Sequence, residues 1–328
     1  MHPRNVFATR PLPEDVLHYL APHCRLMGPP ADAAISSEDL AGICREREIE
    51  GLLSSSTPIN GDFLDQARCL RVIAHMGKGV DNIDVGGCTA RRILVTNTAG
   101  TPEETTADAA FALLLAAARR VVEADRFVRE GHWTSWSWGL LWGANVHQKT
   151  LGIYGFGTIG QAMARRARGF AMRILYYQRR RAAEGIEREL GADYAAPETL
   201  IRKSDFLSLH VPLTTETRHL ISARELAWMK PTAFLINTSR GLVVDEHALA
   251  TALKEKRIAG AGLDVFEHEP QVDPDLLKLP NAVFMPHLGS ATAETRARMA
   301  MQAAENMLAA LEGRRPPNLL NPEALDGR

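Results

Sequence analysis

LGIYGFGTIG (residues 151–160) is the stretch that decides the fold. An apolar run enters Gly155, Gly157 and Gly160, and QAMARRARGF (161–170) leaves it with the composition of a helix. In a strand–loop–helix unit the first glycine allows the tight turn, and the second lets backbone N–H groups approach a pyrophosphate. The third lets helix and strand pack closely. Glycine loops of other kinds reproduce this pattern, so its surroundings carry the reading. A second apolar run, RILYYQ (173–178), ends 18 residues after Gly160 (178 − 160), the spacing of a βαβ dinucleotide unit. The pattern predicts a dinucleotide site on Gly155, Gly157, Thr158 and Gly160.

Downstream, DFLSLHVP (205–212), AFLINTSRG (233–241), GAGLDVF (260–266) and AVFMPH (282–287) are apolar runs that end in Gly, Pro, Ser or His. Buried parallel strands look like this, because helices cover both faces. Upstream, NVFATR (5–10), GLLSSS (51–56), LRVIAHMGKG (70–79) and ILVTNT (93–98) read as strands, and EDVLHYLAPHC (14–24) as a helix. Two long Ala-rich segments flank the second block. One starts at Pro102, with Glu103 and Glu104 where carboxylates suit the helix dipole. The other runs from about Thr292 to Leu311 and stops at Gly313. The expected fold is α/β, with two Rossmann-like domains built on parallel sheets. Residues 101–289 form a dinucleotide-binding domain inserted into a flavodoxin-like substrate domain, 1–100 plus 290–328. Helices 102–128 and 291–312 are the expected crossings.

The 328 residues suffice for two such domains, and 45% hydrophobic with 23% charged residues is a folded balance. Lys plus Arg (38) nearly cancels Asp plus Glu (39), so no global field favours nucleic acid or an anionic membrane. MHPRNVFATR lacks the apolar run of a signal peptide, and the apolar stretch Phe111 to Ala118 is too short to span a bilayer. Cys24, Cys44, Cys69 and Cys88 are widely spaced, with no CxxC pair. They read as buried free thiols of a reducing, cytoplasmic compartment rather than a metal site or disulfide framework.

The end of the second strand bears on cofactor choice. NAD-selective sites place Asp or Glu there for the ribose hydroxyls. This chain has Gln178, followed by Arg179, Arg180 and Arg181. No carboxylate repels a 2′-phosphate there, and arginine meets one with a planar fork of donors. A run of three arginines can equally be a solvated loop. The missing acid and the added bases together favour NADP(H) over NAD(H).

Three chemistry-bearing residues follow strands, at the edge where open α/β sheets bind ligands. Arg240 follows AFLINTS, Glu269 follows GLDVFEH and His287 follows AVFMP. Reduction of a 2-keto acid needs a cation for the carboxylate and carbonyl oxygen, and an acid for the nascent alkoxide. Arginine supplies a permanent charge, and histidine titrates near neutrality. A neighbouring carboxylate fixes the histidine tautomer. Glu267 competes with Glu269 for that place, and each residue alone could be an ordinary surface or structural group.

Over nearly its whole length the sequence resembles the D-isomer-specific 2-hydroxyacid dehydrogenases. The resemblance is carried by GKGVDNID (77–84), VTNTAGTPEETTAD (95–108), GFGTIGQAMARRARGF (155–170), LHVPLT (209–214), NTSRGLVVDE (237–246), AGLDVFEHEP (261–270) and PHLGSAT (286–292). It implies that Arg240 binds the substrate carboxylate and carbonyl, that His287 donates the proton, and that Glu269 is its partner. It places Thr106, Ile159, Gln178, Arg179, His210, Pro212, Thr217, Thr238, Asp264 and Gly289 around the cofactor, with Arg180 and His287 beside them. It assigns the backbone amides of Lys78 and Gly79 to the carboxylate of a small anionic substrate. It also implies a homodimer formed mainly through the cofactor domain. WTSW (133–136), HLGSATAETR (287–296) and RILYYQRRR (173–181) look most like the glyoxylate and hydroxypyruvate reductases.

Four of the five tryptophans, Trp133, Trp136, Trp138 and Trp142, fall in one short stretch. Such a stripe reads as core or dimer contact, and Trp138 is a candidate to close the substrate pocket. Lys78 departs from the usual small or apolar residue of its loop. With CTAR (88–91) it looks like the phosphite dehydrogenases, where an ammonium would suit a dianion. Its side chain can equally face solvent while its amide binds. A formate dehydrogenase lacks the histidine's carboxylate partner, which Glu269 supplies here. A non-enzymatic NAD(H)-sensing corepressor shares the fold, but here no long tail for partner recruitment follows the last helix.

Overall fold

Strand runs such as VIAH and LVT are apolar on both faces, so each must be covered twice. The computed structural model describes residues 3–29 and 31–326. The chain divides into two units, one holding the described residues up to 102 and from 291 onward, the other residues 103–290.

The first unit opens with β1 (Arg4–Ala8), α1 (Glu14–Leu20), β2 (Cys24–Met27), α2 (Ser37–Glu46), β3 (Gly51–Ser54), α3 (Gly61–Gln66), β4 (Val72–His75), α4 (Val85–Ala90) and β5 (Leu94–Thr96). The strands pair in parallel in the order β2-β1-β3-β4-β5, the flavodoxin-like arrangement. The helix expected over 14–24 stops at Leu20. Pro22 cannot continue its hydrogen-bond ladder, and Cys24–Met27 instead becomes an edge strand on β1.

The second unit contains α5 (Glu103–Ala118), α6 (Val121–Arg129), β6 (Thr150–Tyr154), α7 (Thr158–Gly169), β7 (Arg173–Tyr177), α8 (Glu184–Leu190), β8 (Ala192–Tyr194), α9 (Pro197–Lys203), β9 (Phe206–Leu209), α10 (Ala223–Trp228), β10 (Phe234–Asn237), α11 (Glu246–Lys254), β11 (Gly260–Leu263) and β12 (Ala282–Phe284). Its parallel sheet runs β12-β11-β10-β9-β6-β7-β8, the doubly wound Rossmann order with its switch point between β6 and β9. The single helix expected over 102–128 is two. Arg120 takes a left-handed φ of 54°, and the Ala144 amide caps α5 by donating to the Ala118 carbonyl at 2.7 Å. α6 buries none of its side chains, and Trp133, Trp136, Trp138 and Trp142 beyond it are exposed in the single chain.

α12 (Ala293–Leu311) returns to the first unit, capped by the Thr292 hydroxyl, which accepts from the Thr295 amide at 3.2 Å. Its Ala300, Ala303, Ala304, Met307 and Leu308 cluster with Val6, Leu53, Val72, Ala74 and Leu94. The alternate strand residues Phe7, Leu52, Ile73 and Val95 pack on the opposite face with Leu40, Ala41, Phe63 and Leu64 of α2 and α3. Cys24, Cys44 and Cys88 are buried free thiols, as their composition suggested, but Cys69 is exposed. Burial pushes the first three up, Cys24 to about 11 and Cys44 and Cys88 to about 12.

Candidate active site

The glycines of the 155–160 loop are required for three different reasons. Gly155 has φ +99°, and an added Cβ would lie 2.5 Å from the His210 carbonyl oxygen. At Gly160 a Cβ would meet the Gly155 carbonyl oxygen at 2.2 Å, so α7 packs directly on the turn. Around Gly157 the space is open. No side chain caps α7, and no acid stands in its first turn. The start of α7 thus adjoins open space at Gly157, the arrangement that receives a pyrophosphate. The Thr158 hydroxyl lies 3.4 Å from Glu103 Oε1.

Beside this loop β7 ends at Tyr177, whose carbonyl accepts the Gly155 amide at 2.9 Å, and Gln178 follows it. The three arginines then separate in role. Arg181 is held bidentately by Glu187, at 2.8 and 2.9 Å, while the buried Tyr176 hydroxyl donates to the same carboxylate. Burial, then that bond, pushes the Tyr176 phenol up to about 12. Arg179 and Arg180 are exposed at the turn. Glu216 faces Arg179; the Thr214 hydroxyl first, then its own amide and the Arg179 charge, hold its carboxyl below the ordinary range.

Around the remaining strand ends the expected cofactor residues are locally braced. His210 Nε2 lies 2.8 Å from the Ser208 hydroxyl. Thr217 Oγ1 donates to the Pro212 carbonyl at 2.6 Å and accepts the Thr214 amide at 2.7 Å. Thr238 follows β10, and its hydroxyl is buried with no hydrogen-bond partner among the described residues. An orphaned buried hydroxyl and an open cradle at Gly157 both fit a bound dinucleotide. Asp264, at the end of β11, accepts the Leu288 amide at 2.6 Å and the Gly289 amide at 2.7 Å. Gly289 approaches it so closely that a Cβ would stand 3.1 Å from Asp264 Oδ2 and 3.4 Å from Thr106 Cγ2. Burial raises the Asp264 carboxyl against the pull of those two amides and of His287.

Arg240, Glu269 and His287 come together in this unit. His287 Nδ1 lies 2.7 Å from Glu269 Oε2, and Glu269 Oε1 accepts the Phe266 amide at 3.0 Å. Burial pushes the Glu269 carboxyl up. The His287 hydrogen bond and charge, the Phe266 amide and the Arg240 charge outweigh it and hold it below the ordinary carboxylate value. His287 has a left-handed φ of 55°, fixed by its amide on the Asp264 carbonyl at 2.8 Å. The contest between Glu267 and Glu269 is resolved by partners: Glu267 faces His219 and α11 and has no bond to His287. Asn237 was missing from the sequence reading. Its amide donates to the Arg240 carbonyl at 2.9 Å, and its Oδ1 accepts from the Ser239 amide and hydroxyl. Its place at a strand end three residues before Arg240 was the available signal.

In the first unit, Lys78 and Gly79 follow β4, and the Asn97 side chain donates to the Lys78 carbonyl at 2.8 Å. Trp138 is 77% exposed in the single chain, and its carbonyl accepts the Trp142 indole N–H at 2.5 Å. Among the described residues no three His, Cys, Asp or Glu side chains are grouped to hold a metal, and no helix is long and apolar enough to cross a membrane.

The sequence profile of the D-isomer specific 2-hydroxyacid dehydrogenase NAD binding domain matches residues 111–289. A glyoxylate reductase of Korarchaeum cryptofilum is 52% identical over 337 aligned residues, covering 100% of this chain and 98% of that one. A glyoxylate reductase of Thermococcus litoralis is 53% identical over 284, covering 85% and 86%. The solved NADPH-dependent glyoxylate/hydroxypyruvate reductase of Sinorhizobium meliloti, in complex with NADP and malonate, superposes with a TM-score of 0.85. It is 32% identical and covers 98% of this chain and 97% of its own. With a nicotinamide-dinucleotide domain and full-length relatives of this similarity, the chain belongs to the D-isomer specific 2-hydroxyacid dehydrogenases.

Proposed function

We propose that this protein reduces glyoxylate and hydroxypyruvate, with NADPH as the preferred donor. The observation that carries the reading is the 2.7 Å bond between His287 and Glu269 within the field of Arg240. The name shared by the Korarchaeum and Thermococcus relatives supports the substrate class. Held by these residues, a reduced nicotinamide would supply the hydride for the carbonyl carbon. With Nδ1 engaged by Glu269, His287 presents Nε2 to the carbonyl oxygen and gives it a proton as negative charge develops there. Glu269 compensates the imidazolium and fixes its orientation. Arg240 binds the carboxylate and polarises the carbonyl.

Gly155, Gly157, Thr158, Ile159 and Gly160 are proposed to hold the pyrophosphate, with Thr106, His210, Pro212, Thr217, Thr238, Asp264 and Gly289 along the rest of the dinucleotide. Gln178 with exposed Arg179 and Arg180 supports the NADPH preference, since no acid ends β7. The exposed α6 and tryptophan arm supports a homodimer through this unit. Four unpaired cysteines fit a reducing cytoplasm. A panel of 2-keto acids assayed with NADH and NADPH tests the proposal. Turnover of glyoxylate lost in Arg240→Ala and His287→Ala is the expected result. Wild-type kcat in both variants, or cofactor binding without turnover in the native protein, would refute it.

A further inference from the structure

Glu267 was left without a task once Glu269 proved to be the carboxylate on His287. Its surroundings supply one. Glu267 Oε1 accepts the amide of Glu246, the first residue of α11, at 2.9 Å. Glu246 answers in kind: its Oε2 accepts the Glu267 amide at 2.9 Å, and its Oε1 accepts the Asp273 amide at 2.9 Å. Each carboxylate thus holds the other residue's main chain, and Glu246 grips the segment 267–273 at both ends, with Glu269 between them.

Two facing carboxylates repel, so their juxtaposition needs compensation. It comes from the amide end of α11, where helix partial charge is positive. Glu246 is 8% exposed, which strengthens its hydrogen bonds relative to those in water. The segment also lies hard against the strand end that carries Arg240. A Cβ on Gly241 would stand 1.9 Å from the Phe266 carbonyl carbon and 2.4 Å from the Glu267 nitrogen. The Phe266 amide, in turn, donates to Glu269.

We propose that Glu246 and Glu267 form a reciprocal clasp that positions Glu269 for His287 and sets its distance from Arg240. They are positioning residues that touch neither substrate nor cofactor. The inference rests on the reading of Glu269 as the histidine's partner.

The test is a double-mutant cycle on the full-length enzyme, with kcat for glyoxylate and its pH profile, the Kd of NADPH by fluorescence, and thermal unfolding. Glu267→Ala is expected to lower kcat by roughly ten- to a hundredfold, the scale of an ångström-level misplacement. The Kd of NADPH should stay within about twofold, and the pH profile of kcat should change as it does in Glu269→Gln. Glu267→Gln, whose amide oxygen still accepts the Glu246 N–H, should restore most of the rate. In the Glu269→Gln background, Glu267→Ala should cost less than about a further twofold. Independent, multiplying losses would overturn the clasp, as would an unaltered pH profile or a Kd for NADPH that rises in step with the lost rate. A wild-type kcat in Glu269→Gln would instead bring down the reading beneath it, and the clasp with it. Should Glu267→Ala fail to fold, Glu267→Asp, one methylene too short for the Glu246 amide, takes its place in the same cycle.

Discussion

The Arg181 guanidinium is locked in a two-pronged pair with Glu187, Nε to Oε1 at 2.8 Å and Nη2 to Oε2 at 2.9 Å. Arg181 is therefore spent on anchoring the turn after β7, and only Arg179 and Arg180 remain to meet a 2′-phosphate. Replacing both by alanine should lower kcat/KM for NADPH by about tenfold or more, the worth of one to two charge-assisted bonds. The value for NADH should change little. Arg181→Ala should lower the melting temperature and affect both cofactors alike. A pair of initial-rate series with each cofactor, and one melting curve, separates the two roles.

Gly157 and Gly160 offer a contrast within one motif. Gly160→Ala drives a Cβ into the Gly155 carbonyl, and overpacking of that kind costs about 1–3 kcal/mol. Gly157→Ala meets nothing within 4 Å, so the fold should tolerate it while the new methyl occupies the proposed pyrophosphate cradle. Denaturant unfolding should find Gly157→Ala close to wild type and Gly160→Ala destabilised. Cofactor titration should find both weakened.

The pH dependence of stability near the histidine follows from Glu269. Its carboxyl is held below the ordinary value in the folded chain, so its contribution is present above the unfolded value of about 4.3. That contribution fades as pH falls through the lower folded value. The gap in melting temperature between wild type and Glu269→Gln should accordingly narrow on acidification below about pH 5. A gap that stays constant to acid pH would contradict the pairing.

Trp138 extends from the second unit into solvent, and in the proposed dimer that arm is covered. Trp138→Ala should raise KM for the bulkier keto acids while sedimentation still finds a dimer. If the variant sediments as a monomer, the ring serves assembly and not the pocket.

Strands β6, β7 and β9 to β11 were legible because they are covered on both faces and read as uninterrupted apolar runs. β2 and β8 were not. They are short edge strands that bury little, and ADY (192–194) carries no alternation to read. The break between α5 and α6 was hidden for another reason: it is fixed by Ala144, whose amide arrives from far along the chain. In the site, Arg240, Glu269 and His287 could be picked out because each follows a strand. The choice between Glu267 and Glu269 could not be made from a spacing of two residues in a loop. It depends on which carboxylate meets α11 and which meets the imidazole. The division of labour among three consecutive arginines was invisible for the same cause, since Glu187 and Tyr176 select one of them.

α12 closes the first unit from the far end of the chain. Until residues 293–311 have been synthesised, Val6, Leu53, Val72, Ala74 and Leu94 have a bare face, while the second unit is already continuous and able to complete its own sheet. That face of the sheet depends on a helix about two hundred residues further along the chain. Shortening α12 should therefore leave a protein that melts in two separate steps, with the cofactor unit as the survivor.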